Sequence, residues 1–169
     1  MRLPALRKAA TGLRRPNYSW ITPELAGGAQ FLPAQAAVLA GDGIGSVLDL
    51  RGEAYPATDA LEEHGLHWLH LPVPDGYAPT EHELWNAVGW IEGEFAQERG
   101  VLVHCRAGMG RSVLVVCAVL MTWGATPAEA FRRLKERRNI AVLSEPQWAA
   151  ARRFWESAQA PTGWPGGSL

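Results

Sequence analysis

No apolar run in this chain is long enough to cross a membrane. The longest, Val113 to Met121, has nine residues, and a spanning helix needs about 20. Cysteine is nearly absent. The two present, Cys105 and Cys117, can build neither a disulfide scaffold nor a four-Cys zinc site. Neither sign of charge is in excess: 16 Lys and Arg against 17 Asp and Glu leave a formal net charge of −1. A chain built to coat nucleic acid would be clearly basic, so that class is excluded. There is also no internal repeat. What remains is 169 residues, 47% of them apolar, an ordinary globular composition and the length of one domain. Such a chain buries roughly 70% of its unfolded surface and folds without cross-links.

The two ends differ from the middle. Arg2, Arg7, Lys8, Arg14 and Arg15 precede the first acid, Glu24. No apolar segment of a secretory signal follows them, so the expected location is the cytoplasm. A loose basic leader over 1–16 is the expected reading; an organelle transit peptide or a membrane-surface arm shares its composition. The close "APTGWPGGSL" is rich in Gly, Pro and Ser without periodicity, and 159–169 reads as a flexible tail. The folded domain is therefore expected over 17–158.

Within it, strands and helices alternate. "VLDL" (Val47 to Leu50), following the turn signal "GDGIG", is one apolar strand candidate; Leu66 to Val73 and Val101 to His104 are two more. Over Thr80 to Arg99, Leu84, Val88, Ile91 and Phe95 form one helical stripe, and Thr80 with Glu83 makes a capping box. Thr126-Pro127-Ala128-Glu129 starts a second helix with Pro in the favoured first position, and Ser144-Glu145-Pro146-Gln147 starts a third. Arg111 to Trp123 is rich in Val and favours a strand on propensity alone; its length and the Gly-rich turn before it predict a buried helix. The whole implies a single α/β domain with a central, mostly parallel sheet flanked by helices.

The stretch "VLVHCRAGMGRS" carries the chemistry. Gly108 and Gly110 let the backbone turn sharply and bring its N–H groups near a ligand. N–H groups at a helix start make an anion site. Arg106, Ala107, Gly108, Met109 and Gly110 are enough to wrap one tetrahedral phosphate, and Arg111 closes the ring with a guanidinium that grips two oxygens. The same environment lowers a cysteine pKa from about 8.5, which makes Cys105 an expected thiolate nucleophile. The Ser112 hydroxyl can hydrogen-bond the sulfur, and His104 supports the loop. An inert Cys in an ordinary Gly-rich turn would leave Arg111 unexplained.

The pattern "HCRAGMGRS" resembles the cysteine-dependent protein tyrosine phosphatases at every defining position. "PNYSWITPELAGGAQFLP", "VLDLRGE" and the closing helices are similar to the small atypical dual-specificity phosphatases, most of all the VHZ type, over about Pro16 to Ser157. The resemblance implies a phosphatase fold with its phosphate loop between a strand and a helix, and a general acid on a loop some 30 residues before the Cys. In this sequence Asp75, in "HLPVPDGYAP", stands 30 positions ahead of Cys105. The implied reaction passes through a cysteinyl-phosphate, without metal or cofactor, on a phosphorylated protein, a phosphorylated small molecule or a lipid head group. A monomer and a shallow site open to phosphotyrosine, phosphoserine and phosphothreonine are expected.

Arg106 departs from the VHZ type, which is small and neutral there. A basic residue at that position is typical of the phosphoinositide phosphatases, although the later loop position that is often basic in them is Met109 here. Phosphoinositide or inositol-phosphate hydrolysis is therefore the alternative, and a non-catalytic phosphate-binding module a more distant one. Arg132, Arg133, Arg137 and Arg138 are read first as a solvated helix face, second as an attractor for highly phosphorylated substrates. Arg51 and Glu53 either support the pocket or form a surface ion pair. His67 and His70 point to opposite faces of a strand and cannot easily share a metal. Cys117 is expected to be inert core.

Overall fold

Every strand next to the phosphate loop is short and buried, and this fixes the architecture. The computed structural model describes residues 14–160; the expected basic leader before 14 and the tail after 160 lie outside the described residues. Five strands, β1 (Tyr18–Trp20), β2 (Leu25–Gly28), β3 (Ile44–Arg51), β4 (His67–Val73) and β5 (Gly100–His104), form one sheet in the order β1-β2-β5-β3-β4. Only the β1–β2 pair is antiparallel, so the sheet is mostly parallel as expected. Helices α1 (Ala36–Gly41), α2 (Thr58–Glu63), α3 (Glu81–Ala96), α4 (Arg111–Thr122), α5 (Pro127–Arg137) and α6 (Glu145–Gln159) cover it.

Helix α4 is the centre of the molecule. Residues 111–121 are all buried, and β2, β5, α3, α5 and α6 pack against it. Its valines explain the conflict in the sequence. A β-branched residue costs a helix up to about 0.7 kcal/mol, whereas burying a Val or Leu side chain contributes about 1.5–3 kcal/mol. Burial wins on every side of this helix. The three predicted helix starts are all formed: Thr80, Thr126 and Ser144 each accept from the N–H three residues on, and Glu83, Glu129 and Gln147 bond back.

Strands β1 and β2 carry no strong sequence signal. Gly27 and Gly28 are poor strand formers, but a Cβ at Gly28 would lie 2.6 Å from the Tyr18 Cβ. Only glycine lets β1 approach this closely. Strand β2 in turn aligns Gly28 with His104 at the end of β5, which delivers a backbone carbonyl to the site.

Candidate active site

The chain leaves β5 at His104 and enters α4 at Arg111, so the predicted phosphate loop lies between a strand and a helix N-terminus. Cys105 is 3% exposed. Its N–H donates to the Gly28 carbonyl at 3.3 Å, and its Sγ lies 3.4 Å from the Ser112 Oγ. Burial pushes the thiol up. The Ser112 hydroxyl, the backbone N–H groups of Ser112 and Gly108 and the charge on Arg111 outweigh that penalty, and the net shift is downward. A helix N-terminus adds to the same effect. Cys117, on the same helix, has burial alone and is pushed up to about 12. Identical side chains are thus shifted in opposite directions by their surroundings.

Arg111 is 3% exposed and held from several sides. Its Nη1 and Nη2 donate to the two Glu53 carboxylate oxygens at 2.7 and 2.8 Å. Nη1 also donates to the Val73 carbonyl at 2.8 Å, and Nη2 to Asp75 Oδ1 at 2.9 Å. The hydrogen bonds from Arg111, the largest cause, hold the Glu53 carboxyl down to about 2. The two readings of Arg51 and Glu53 separate here. Glu53 supports the pocket through Arg111, while Arg51 pairs with the buried Asp49 at 2.7 Å.

Asp75 stands on the loop between β4 and α3, with its side chain 57% exposed. Its Oδ2 lies 3.6 Å from the Arg106 Nη1, so the carboxylate bridges Arg106 and Arg111 across the loop mouth. The turn around it is tight: the Tyr77 N–H donates to the Pro74 carbonyl at 3.1 Å, and Gly76 has φ of +83°, a conformation favourable only to glycine. Gln147, read in the sequence only as a helix cap, also donates from Nε2 to the Tyr77 carbonyl at 3.4 Å. Its amide packs against Gly110, where a Cβ would lie 2.9 Å from that nitrogen. Gln147 therefore joins the acid loop to the phosphate loop, a role no local pattern could signal.

The phosphate loop has support on both flanks. The Gln30 N–H donates to the Arg106 carbonyl at 3.1 Å and the Val142 N–H to the Met109 carbonyl at 2.9 Å. Ala107 and Gly108 complete the turn, and Gly108 has φ of +67°. Arg138 corrects the reading of a solvated arginine face. Helix α5 ends at Arg137, the chain turns inward, and Arg138 is buried with its Nε donating to the Gly108 carbonyl at 2.7 Å. Arg132 does stay exposed, paired with Glu136. His104 is buried beside Phe31; burial lowers it to about 4 against the pull of Asp49, so it is neutral at neutral pH. His67 approaches Glu94 and His70 bonds the Arg51 carbonyl. Among the described residues no group of three or more His, Cys, Asp or Glu is arranged to hold a metal ion, and no helix is long and apolar enough to cross a membrane.

A sulfur nucleophile, an arginine and a carboxylate thus surround one loop at a helix start, on a sheet of mixed order 1-2-5-3-4. Thiol, guanidinium, carboxylate and helix N-terminus are the groups that binding and cleaving a phosphate monoester through a cysteine would require. The family model described as "Polymorphic toxin system, DSP-PTPase phosphatase" (Tc-R-P) matches residues 26–125, and the chain belongs to this family. Mouse cyclin-dependent kinase inhibitor 3 is 30% identical over 86 residues, which cover 50% of this chain and 41% of that protein. Mouse protein tyrosine phosphatase type IVA 2 is 30% identical over 87 residues, covering 50% and 52%. The chain spans about half the length of these relatives. Among solved structures, Tk-PTP in its active form superimposes with a TM-score of 0.78 at 28% identity, over 83% of this chain and 97% of that one. The expected α/β phosphatase fold is therefore the observed one.

Proposed function

We propose that residues 17–158 form a catalytic domain that hydrolyses phosphate monoesters on proteins, with dual specificity. The Cys105 thiolate attacks phosphorus and forms a P–S bond. The ester P–O bond breaks, and Asp75 gives its proton to the leaving oxygen. Water then attacks the cysteinyl-phosphate, Asp75 takes a proton from it, the P–S bond breaks, and inorganic phosphate departs. Arg111 and the N–H groups of 106–111 hold the equatorial oxygens in both steps. Ser112 donates to the sulfur as it leaves. His104 stays neutral behind the loop. A bound phosphate and the Asp75 carboxylate compete for Arg111 Nη2, so substrate entry releases Asp75 toward the leaving group.

The observation that carries this reading is the Arg111 guanidinium in contact with Asp75 at 2.9 Å while its charge acts on the Cys105 thiol. Acid, nucleophile and oxyanion clamp converge on one loop. The domain works where thiols stay reduced, the cytoplasm in this reading, because both cysteines are free and the nucleophile requires it. It acts as a monomer in this reading, because Cys105, Asp75, Arg111 and Ser112 suffice for both steps.

Arg106 favours a second reading. An exposed guanidinium at the mouth, 3.6 Å from Asp75, adds a cation suited to an inositol phosphate or phosphoinositide. A panel of phosphotyrosine and phosphothreonine peptides, phosphoinositides and inositol phosphates separates the two. The protein-phosphatase reading expects peptides to have the higher kcat/KM and Arg106→Ala to change that little. Preference for the inositol compounds, lost in Arg106→Ala, reverses the ranking.

A further inference from the structure

Arg138 is a buried cation with no carboxylate paired to it among the described residues. It is 4% exposed. Its Nε donates to the Gly108 carbonyl at 2.7 Å and its Nη1 to the Asn17 Oδ1 at 3.1 Å, both neutral oxygens. Its Nη2 is buried with no hydrogen-bond partner among the described residues, and none of their carboxylates pairs with it. A guanidinium cannot shed its proton near neutral pH, and a buried charge is costly unless an opposite charge compensates it. Through Gly108 the guanidinium lies on the loop that Cys105 opens, and charge on the Cys105 sulfur acts against the burial that lowers the Arg138 pKa. The guanidinium also packs on the loop itself: a Cβ on Gly108 would lie 2.4 Å from Nη2 and 2.5 Å from the Gly28 carbonyl carbon. The Gly108 N–H is also among the groups that lower the Cys105 thiol.

We propose that Arg138 is a positioning residue of the phosphate loop: it fixes Gly108 in its left-handed turn, and its buried charge has the Cys105 thiolate as its counter-ion. The inference rests on Cys105 being the nucleophile of the proposed phosphatase. Arg111 grips the substrate; Arg138 acts through the loop and through the sulfur. The charged groups around Cys105 are then Arg111 and Arg138, with Glu53 and Asp75 paired to Arg111 and Arg106 to Asp75, while His104 is neutral.

The test is the pH dependence of Cys105 alkylation by iodoacetamide in the full chain. Only two cysteines exist, and the Cys117 thiol is pushed up to about 12, so the reaction reports Cys105. Arg138→Gln keeps a donor for the Gly108 carbonyl and removes the charge. Its alkylation midpoint should rise by about one pH unit, a roughly tenfold loss of thiolate below the midpoint, and the acid limb of kcat/KM should move with it. Arg138→Lys keeps the charge and should recover most of the shift. An unmoved midpoint in Arg138→Gln, or a rise in Arg138→Lys equal to that in Arg138→Gln, overturns the proposal. If Arg138→Gln does not fold, Arg138→Lys decides alone: a midpoint near that of the wild type supports the role, and a rise of about one unit refutes it. Hydrolysis of p-nitrophenyl phosphate by the wild type and by Cys105→Ser is measured alongside. A shifted midpoint without any hydrolysis in the wild type removes the phosphatase reading, and Arg138's role in that reaction with it, but leaves the charge pairing. Cys105-dependent hydrolysis with an unmoved midpoint removes only the role of Arg138.

Discussion

The two loops that meet at the site are built in opposite ways. The loop from Cys105 to Gly110 is held through its backbone groups: the Gly28 carbonyl, the N–H groups of Gln30 and Val142 and the Arg138 Nε bond to them, and Cys105 is buried. The loop around Asp75, closed by its Tyr77–Pro74 hydrogen bond, is tied to the site by side chains, through ion pairs to Arg111 and Arg106 and one hydrogen bond from the Gln147 amide, and Asp75 is largely exposed. Backbone bonds from β2 and from the segments at Gln30 and Val142 use no group that an incoming anion would take. Ion pairs to an arginine are exchanged when a stronger anion arrives. Under the proposed reading, the difference makes phosphate capture preorganised, while proton delivery depends on contacts the substrate itself rearranges.

Substitutions on the two sides should therefore fail differently. The largest effect is expected from Cys105→Ser, which removes the nucleophile and should cut kcat for p-nitrophenyl phosphate by at least about 1,000-fold with unchanged stability. Vanadate binding should survive in that variant, since Arg111 and the loop amides remain. Asp75→Asn comes next. It should lower kcat by roughly 100- to 10,000-fold for substrates with poor leaving groups, with KM little changed and the basic limb of the pH profile lost. An Asp75→Asn effect that fell mainly on KM would make the two loops alike and break the comparison.

Glu53→Gln probes the junction between the loops. It removes the bidentate charge partner that orients Arg111, and a charge-assisted hydrogen bond is worth about 1.5–3 kcal/mol. A fall of about tenfold in kcat/KM is expected, with most of it recovered in Glu53→Asp only if that shorter side chain still reaches the guanidinium. The variant should also change acid stability. A carboxyl held at about 2 instead of its usual 4.5 stabilises the fold above pH about 4.5, and that contribution is lost as pH falls toward about 2. Urea titrations between these values should show a shallower loss in Glu53→Gln.

The smallest effect belongs to His104. Its folded-state value of about 4 lies below the ordinary 6.5 because burial disfavours the cation. The unfolded chain therefore binds a proton first, and stability conferred above pH about 6.5 is lost progressively down to about 4. His104→Asn should flatten this part of the stability profile while leaving the Glu53 window below it in place.

The rigid loop was the more legible of the two in the sequence. "HCRAGMGRS" places thiol, glycines, guanidinium and hydroxyl within one turn, so local spacing alone specifies their arrangement. The three capping boxes were legible for the same reason: each is complete within four residues. Asp75 needed the family resemblance to single it out from other turn carboxylates. The rest depended on tertiary contact. Gly27 and Gly28 read as poor strand formers until Val116 is seen against the first and Tyr18 against the second. Arg138 sits at the end of an arginine-rich helix and differs from its neighbours only because the chain turns inward after Arg137. Gln147 has a complete local explanation as a cap, which concealed its bond to Tyr77. A residue that satisfies one local pattern can serve a second, distant one, and no periodicity marks it.

The central claim is that phosphate passes through the sulfur of Cys105. Turnover of p-nitrophenyl phosphate by the Asp75→Asn variant, acid-quenched within its first cycles and digested for mass spectrometry, examines this directly. The account predicts a phosphoryl group on the peptide containing Cys105, absent from Cys105→Ser. Steady hydrolysis with that peptide unmodified, or a phosphoryl group on another residue, would contradict it.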